Sequence, residues 1–445
     1  MAVKIIKAAA MFIDSELKQD MAIAVDVHSG DIVKIGTAGE LQMQFKDAQH
    51  EDWGSLAVLP GSVNAHNHSF QSLLRGIAAD RPFLEWRDNS LYKFSPRMRL
   101  IDIYTGALFA FTEMMKCGAT TVSDFFYLHQ FGSESDEAVV QAAKDAGIRL
   151  VIASTMYDWD GAPSGYVEDV KTAEARTRRL MKKYTGGMVK VLPAPHSLHA
   201  ASPEMVLAGY KLACEFNTPY HIHVAEEIFE VEQVKKEHGL PPLAYLDSLG
   251  VVDEHMCIIH GVWLNDDEIK TMGQKKAHLI YCPSSNMFLA DGITDIPAYM
   301  KYGVPIALGS DGACGNNRIS VFEEMRMVSI LQKAKTCDAL CVNYKDAFKM
   351  GTKTGGEVLG LPIGSIEPGM KADLVGVSLQ DFSMQPLTKK GGQFLPNVVY
   401  SMQPTAIKRV AVNGKTTVMD NHLVNIAEEK VLDLVAATME HLESD

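Results

Sequence analysis

Two histidines one residue apart, His66 and His68, close the stretch "VLPGSVNAHNH" at 58–68. Side chains alternate along an extended segment, so residues i and i+2 share a face. That sets two imidazoles side by side, as a metal ion takes its first two ligands. Similar groups end other apolar runs: His196 then His199 after "MVKVLPAP", His221, His223 and Glu226 in "TPYHIHVAE", His260 after "MCII", and Asp311 after "VPIALGS". A single buried histidine bonded to backbone is ordinary. Five run ends that all carry such groups point to chemistry.

Three neutral imidazoles (His66, His68, His223) and the Asp311 carboxylate make a nitrogen and oxygen donor set. It suits Zn²⁺ or Fe²⁺ rather than Mg²⁺ or Ca²⁺, which take oxygen ligands. In such a site the pKa of bound water falls from 15.7 towards ~7, which provides hydroxide at neutral pH. Asp311 can ligate the metal and accept the water's proton, and His260 can hold the hydroxide by hydrogen bond. Glu226, three residues past His223, is placed to carry a proton to a substrate nitrogen. His221 shares parity with His223, but only His223 has the H-x-x-E spacing, which leaves His221 packed or in a supporting role.

What positions these groups is an alternation of short apolar runs with segments of helical period. Eight runs are read: "LAVLPG", "ATTVSDFFY", "RLVIASTMY", "MVKVLPAPH", "TPYHIHVAE", "MCIIHG", "AHLIYCPS" and "VPIALGSD". Segments such as "EMVLAGYKLACEF" (204–216) between them carry apolar residues at helical spacing. Eight such units imply an α/β fold, a closed (β/α)₈ TIM barrel with its chemistry at the carboxyl ends of the strands. Short strands and turns occupy both chain ends, with a hairpin signal at Asn413-Gly414. The expected organisation is residues 1–59 and 365–425 forming one small β-sandwich-like domain, 60–364 the barrel, and 426–445 a closing amphipathic helix.

The net charge of −13 over 445 residues argues against a nucleic-acid or anionic-membrane surface, which needs a basic face. No uncharged apolar run reaches the ~18 residues of a membrane span. Lys7, Asp14 and Glu16 interrupt the opening stretch, so no signal peptide is read there. The seven cysteines are odd in number and scattered, as reduced thiols are. Together these lead to the expectation of a cytoplasmic protein acting on a small molecule.

The segments "NAHNHSFQSLLRG", "APHSLHAASPE", "YHIHVAEE", "CIIHGVWL", "CPSSNMFLADGI", "LGSDGACGNN" and "IGSIEPGMKADLV", in this order, resemble the amidohydrolase superfamily, in its branch of mononuclear aminohydrolases. The resemblance covers roughly residues 1–430. No lysine stands at the end of the fourth run, where two-metal members carry a carbamylated bridge; His196 lies near there instead. The resemblance thus implies one divalent metal on His66, His68, His223 and Asp311, with Glu226 as proton shuttle and His260 orienting the water. It also implies release of ammonia from an amino- or imino-bearing sp² carbon, and a homodimer or larger homo-oligomer.

For the substrate two resemblances compete. "LLRGIAADRPFLEW", "CPSSN" and "SDGACGNN" are similar to deaminases of adenosyl compounds, purines, pterins and triazines. "HNHSFQ", "EWRD", "FFYLH" and "HSLH" are similar to N-formimino-L-glutamate iminohydrolase, in which Gln71, Arg87, Tyr127 and His196 fall on substrate-contacting positions. His199 departs from that enzyme, which has an arginine there to grip a carboxylate. Hydrolysis of a chloro- or alkylamino-heterocycle, or a metal-binding protein without catalysis, are further alternatives.

Overall fold

Strands from the two chain ends meet in one sheet. The computed structural model describes residues 2–388 and 392–444, so Met1 and Asp445, the outermost residues of the expected domain spans, lie outside the described residues. Leu56–Pro60 pairs antiparallel with Leu374–Ser378 and parallel with Ala10–Ile13, in the middle of a seven-stranded sheet. A four-stranded sheet of Val3–Lys7, Met21–Asp26, Ile32–Thr37 and Gln49–Asp52 stands against it. Ile6, Ile23 and Ile32 from one sheet and Met11, Val58 and Leu374 from the other bury a common core. Asn413 and Gly414 both adopt positive φ, as a two-residue hairpin turn requires, and Val412 pairs with Lys415 across it.

Between these ends lies the (β/α)₈ barrel. Its parallel strands are β1 (Ser62–Asn67), β2 (Ala119–Phe126), β3 (Arg149–Met156), β4 (Val189–Pro195), β5 (Tyr220–Val224), β6 (Met256–His260), β7 (His278–Tyr281) and β8 (Ile306–Leu308). β1 to β4 form one continuous ladder and β5 to β8 another. The two seams are closed at the carboxyl ends. The His223 N–H donates to His196 O at 2.9 Å, and the Asp311 N–H donates to His66 O at 3.0 Å.

The run "LAVLPG" does not form the first barrel strand, as the sequence led us to expect. It belongs to the end sheet, and the barrel begins one segment later at β1, whose residues are all buried but include Ser62, Asn64, His66 and Asn67. Polar content hides this strand from a search for apolar runs. Gly61 lets the chain cross between sheets, because a Cβ there would stand 2.1 Å from Thr120 Oγ1.

Helices after the strands complete the units, and local chemistry sets their ends. In Pro203–Phe216 the Ser202 hydroxyl accepts from Met205 N–H, Pro203 opens the first turn, and left-handed Asn217 closes the last. Within 365–425, Phe394–Tyr400 is a helix rather than part of either sheet, and the Arg326 side chain donates to Tyr400 O at 3.1 Å. The terminal helix Glu428–Glu443 lies on Leu100–Lys116, where Thr438 Oγ1 donates to Asp102 Oδ1 at 3.1 Å.

Candidate active site

The strand ends converge at one point. His66 comes from β1 and His68 from the residue just after it, His223 from β5, His260 from the end of β6, and Asp311 from the turn after β8. His66 Nε2 and His223 Nε2 stand 3.3 Å apart, and Asp311 Oδ1 lies 3.6 Å from His66 Nε2 and 3.4 Å from His68 Nε2. On the other side of the carboxylate, Oδ2 is 3.9 Å from His260 Nε2, which is 3.3 Å from Glu226 Oε1. His260 and Asp311 both have positive φ, as does Ala225 before Glu226. Strain of this kind concentrates at functional sites.

The tautomers follow from the surroundings. His68 Nδ1 is 2.6 Å from Phe125 O and His223 Nδ1 is 2.9 Å from His196 O, so each Nδ1 carries the hydrogen and each Nε2 turns a lone pair inward. Burial pushes the His68 pKa down to about 3 and that of His260 to about 4, while His223 falls well below its ordinary value. These imidazoles are therefore neutral at ordinary pH. The inward lone pairs of His68 and His223, with His66 Nε2 3.3 Å from His223 Nε2 and the Asp311 carboxylate beside them, fit a cation. The ligand atoms of His66, His68 and Asp311 lie within 4.8 Å of one another, as do those of His66, His223 and His260. Nitrogen and oxygen donors in this number suit a divalent transition metal.

Above this point opens a cleft of about 630 Å³, part of it open to solvent, lined by Gln71, Arg87, Tyr127, His196 and His199 among others. Gln71 donates to Tyr127 OH at 2.9 Å, and the His196 ring stands 4.9 Å from that of His223. Arg87 is held by Asp88, Nε to Oδ1 at 2.9 Å, and its guanidinium lies 4.5 Å from the centre of the Tyr92 ring. Burial, with the Arg87 charge adding to it, pushes His199 down to about 4. His221 sits deeper in the barrel with both ring nitrogens unpartnered, and it does not reach the cleft.

Sequence reasoning missed the groups that hold the site. Ser285 Oγ donates to Asp311 Oδ2 at 2.7 Å, and Asn286 Nδ2 contacts His260 Nδ1 at 3.1 Å. Both lie in "CPSSN", whose polar run after an apolar one was the available signal. Glu230 is fully buried and accepts from Glu226 N–H at 3.2 Å. Tyr92, Tyr157 and Tyr166 join Tyr127 in an aromatic wall, with Tyr166 5.8, 5.9 and 5.0 Å from Tyr92, Tyr157 and Tyr127. Tyr157 ends an apolar run; nothing in the sequence marks Tyr166.

A (β/α)₈ barrel that gathers imidazoles and carboxylates at its strand ends defines a class of metal-dependent hydrolases. The chain belongs to the amidohydrolase family, whose model matches residues 57–417, and is a hydrolase of carbon–nitrogen bonds other than peptide bonds. It is 31% identical over 418 residues to the 5-methylthioadenosine/S-adenosylhomocysteine deaminase of Pelotomaculum thermopropionicum, covering 93% of this chain and 92% of that protein. It is 32% identical over 386 residues to the 5'-deoxyadenosine deaminase of Methanosphaera stadtmanae, covering 86% and 87%. An adenosine deaminase from Xanthomonas campestris, solved with zinc, superposes with a TM-score of 0.89 at 25% identity over 99% and 98% of the two chains. Guanine deaminase of C. acetobutylicum, at 22% identity and a TM-score of 0.81 over 93% and 99%, shares the fold. Among the described residues no helix is long and apolar enough to cross a membrane.

Proposed function

We propose that the protein is a zinc-dependent deaminase of adenosyl-type compounds, which replaces a ring amino group by oxygen and releases ammonia. The observation that carries this is the line of acid–base groups on one wall of an aromatic cleft: Asp311 Oδ2, His260 Nε2 3.9 Å away, and Glu226 Oε1 a further 3.3 Å on. The adenosyl deaminases among the relatives support the substrate class, and the zinc in the Xanthomonas neighbour supports the ion.

His66, His68, His223 and Asp311 would hold the ion, which supplies Lewis acidity and lowers the pKa of water towards ~7. Asp311 takes a proton from the attacking water, and His260 fixes the water's oxygen by hydrogen bond. Burial, together with Asp291 and Asp311 nearby, raises the Glu226 carboxyl well above its ordinary value, so it keeps a proton to give. That proton goes to the leaving nitrogen as the tetrahedral ring carbon collapses, and ammonia departs. Gln71, Tyr127 and His196 read the ring, and the tyrosines pack its faces and edges. Arg87 and His199 lie farther out and contact what the ring carries. Asp88 already engages Arg87 Nε and Nη2 at 2.9 and 2.8 Å, which weakens it as a two-pronged carboxylate clamp.

Every group in this scheme comes from one chain, and the protein would form a homodimer or larger homo-oligomer. We place the enzyme in the cytoplasm, where its thiols stay reduced. The test is the ultraviolet change from an amino- to an oxo-purine, with equimolar ammonia, when the zinc-loaded protein meets 5'-substituted adenosines. Loss of both signals in Glu226→Gln supports the assignment. Their absence in the wild type overturns it.

A further inference from the structure

The loop between β3 and the helix Val170–Lys183 supplies two tyrosines of the cleft from its two ends, Tyr157 and Tyr166. Its base is closed, because Glu168 N–H donates to Tyr157 O at 2.9 Å. The segment is thus an Ω-loop, a compact excursion with its ends together. One flank is pinned by Asp158, whose carboxylate accepts from Ser202 N–H at 2.7 Å and from Ser202 Oγ at 2.5 Å.

Beneath the loop lies a knot of charges that the proposed reaction does not use. Arg176 is 5% exposed, yet each of its nitrogens is engaged. Nε donates to both Glu168 oxygens at 3.0 Å, and Nη2 donates to Glu168 Oε2 at 2.7 Å and to Thr155 O at 2.6 Å. Nη1 donates to Ser154 Oγ and stands 3.5 Å from Asp136 Oδ2. His129 joins the knot from the preceding loop: Nε2 is 3.2 Å from Thr155 O, and the backbone N–H of His129 donates to Gly165 O at 2.8 Å. One guanidinium therefore ties the last turn of β3 to the far end of the loop.

A buried ion cluster contributes little net stability compared with a packed apolar core. What this one does provide is position, since Arg offers a rigid fork of donors. Its partners are two residues from each of the two tyrosines: Thr155 precedes Tyr157, and Glu168 follows Tyr166.

We propose that Arg176 is a positioning residue which, through Glu168 and Thr155, holds the 157–168 loop so that Tyr157 and Tyr166 face the cleft, and that this loop determines which ring-bearing substrates are accepted. The inference rests on the amino-heterocycle reading of the cleft.

The experiment compares wild type with Arg176→Gln, Arg176→Lys and Glu168→Gln, all zinc-loaded. It measures KM and kcat on the best adenosyl substrate, metal content, and amide hydrogen exchange of 157–168 without substrate. Arg176→Gln is expected to raise KM roughly tenfold or more while kcat changes less than about threefold, since displaced recognition groups cost binding. Metal content stays at the wild-type value, and exchange in the loop accelerates at least tenfold over the rest of the barrel. Arg176→Lys, which keeps the charge and loses the fork, behaves like Arg176→Gln. Glu168→Gln, which keeps an acceptor, lies between. If Arg176→Gln does not fold, Glu168→Gln carries the same test.

A lower melting temperature with KM and loop exchange unchanged would show a merely structural role and overturn the proposal. So would loss of kcat together with metal. Exchange needs no substrate: a wild type without turnover removes the proposed function, while the loop's protection still decides whether Arg176 positions it.

Discussion

His66 and His223 face each other with their Nε2 atoms 3.3 Å apart, and the Nδ1 hydrogen of His223 is already committed to His196 O at 2.9 Å. The inward lone pair of His223 Nε2 thus meets either an Nε2 hydrogen of His66 or a cation shared with it, and the Asp311 carboxylate 3.6 Å from His66 Nε2 favours the cation. Removing the metal with a chelator is therefore expected to abolish turnover and lower the melting temperature, and zinc restores both. An ion present at a thousandfold excess over its dissociation constant contributes about 4 kcal/mol. His223→Ala should retain less than one ion in ten chains by elemental analysis.

Glu226 stands outside the proposed ligand set, so its substitution separates proton transfer from metal binding. Glu226→Gln should lower kcat by about 10²–10⁴-fold, the usual range for losing a positioned acid–base group. Metal content stays at the wild-type value. A variant that loses both activity and metal would place Glu226 in the ligand set instead.

A Cβ on Gly312 would stand 1.9 Å from Gln71 Oε1. Gly312→Ala is expected to push Gln71 off Tyr127 and reduce kcat/KM by roughly tenfold. Overpacking of this kind costs about 1–3 kcal/mol, so the variant still folds. The check is kinetics on the best substrate beside a melting curve.

Much of this was legible in the chain. His66 and His68, or His223 and Glu226, are spaced so that strand geometry alone brings each pair to one end of the barrel. Seven of the eight barrel strands, β2 to β8, follow from the apolar runs. Other parts were hidden for physical reasons. A buried run such as Leu56–Pro60 does not declare which sheet it joins, since either one buries it. Polar β1 escaped notice because its Asn64 and Asn67 are buried on the strength of amide hydrogen bonds across the seam, to Ser310 Oγ and Asp311 O. Ser285, Asn286 and Glu230 act through hydrogen bonds that exist only once the helices after β5 and β7 are packed, and Tyr166 depends on the path of a loop.

Arg149, at the start of β3, donates Nε and Nη2 to the two oxygens of Asp373 at 2.9 and 3.0 Å, joining the barrel to the end sheet. Both residues are buried. Arg149→Met removes one partner and leaves a buried carboxylate, which should cost about 3–5 kcal/mol in urea denaturation. Placing Met there together with Asp373→Asn is expected to recover part of that loss.

Burial raises the Glu324 carboxyl up to about 8 from its ordinary 4.5, although Ser284 N–H and Asn316 Nδ2 both donate to it at 3.0 Å. The unfolded chain releases this proton above its ordinary value and the folded one only near pH 8. The group's contribution is thus full at acid pH and is lost as pH rises through that window, by at most about 1.4 kcal/mol per unit. Glu324→Gln cannot titrate, so its stability relative to wild type should increase between pH 5 and pH 8. A difference independent of pH would contradict the assignment.

The most direct test is ammonia release by the zinc-loaded protein across a divided panel, with Glu226→Gln as control. One half holds adenosyl compounds, free amino-purines, pterins and aminotriazines; the other holds formimino and guanidino acids and chlorotriazines. Ammonia from the first half alone, strongest with 5'-substituted adenosines and lost in the variant, is the predicted result. Turnover confined to the second half, or none anywhere with one metal bound per chain, would contradict it.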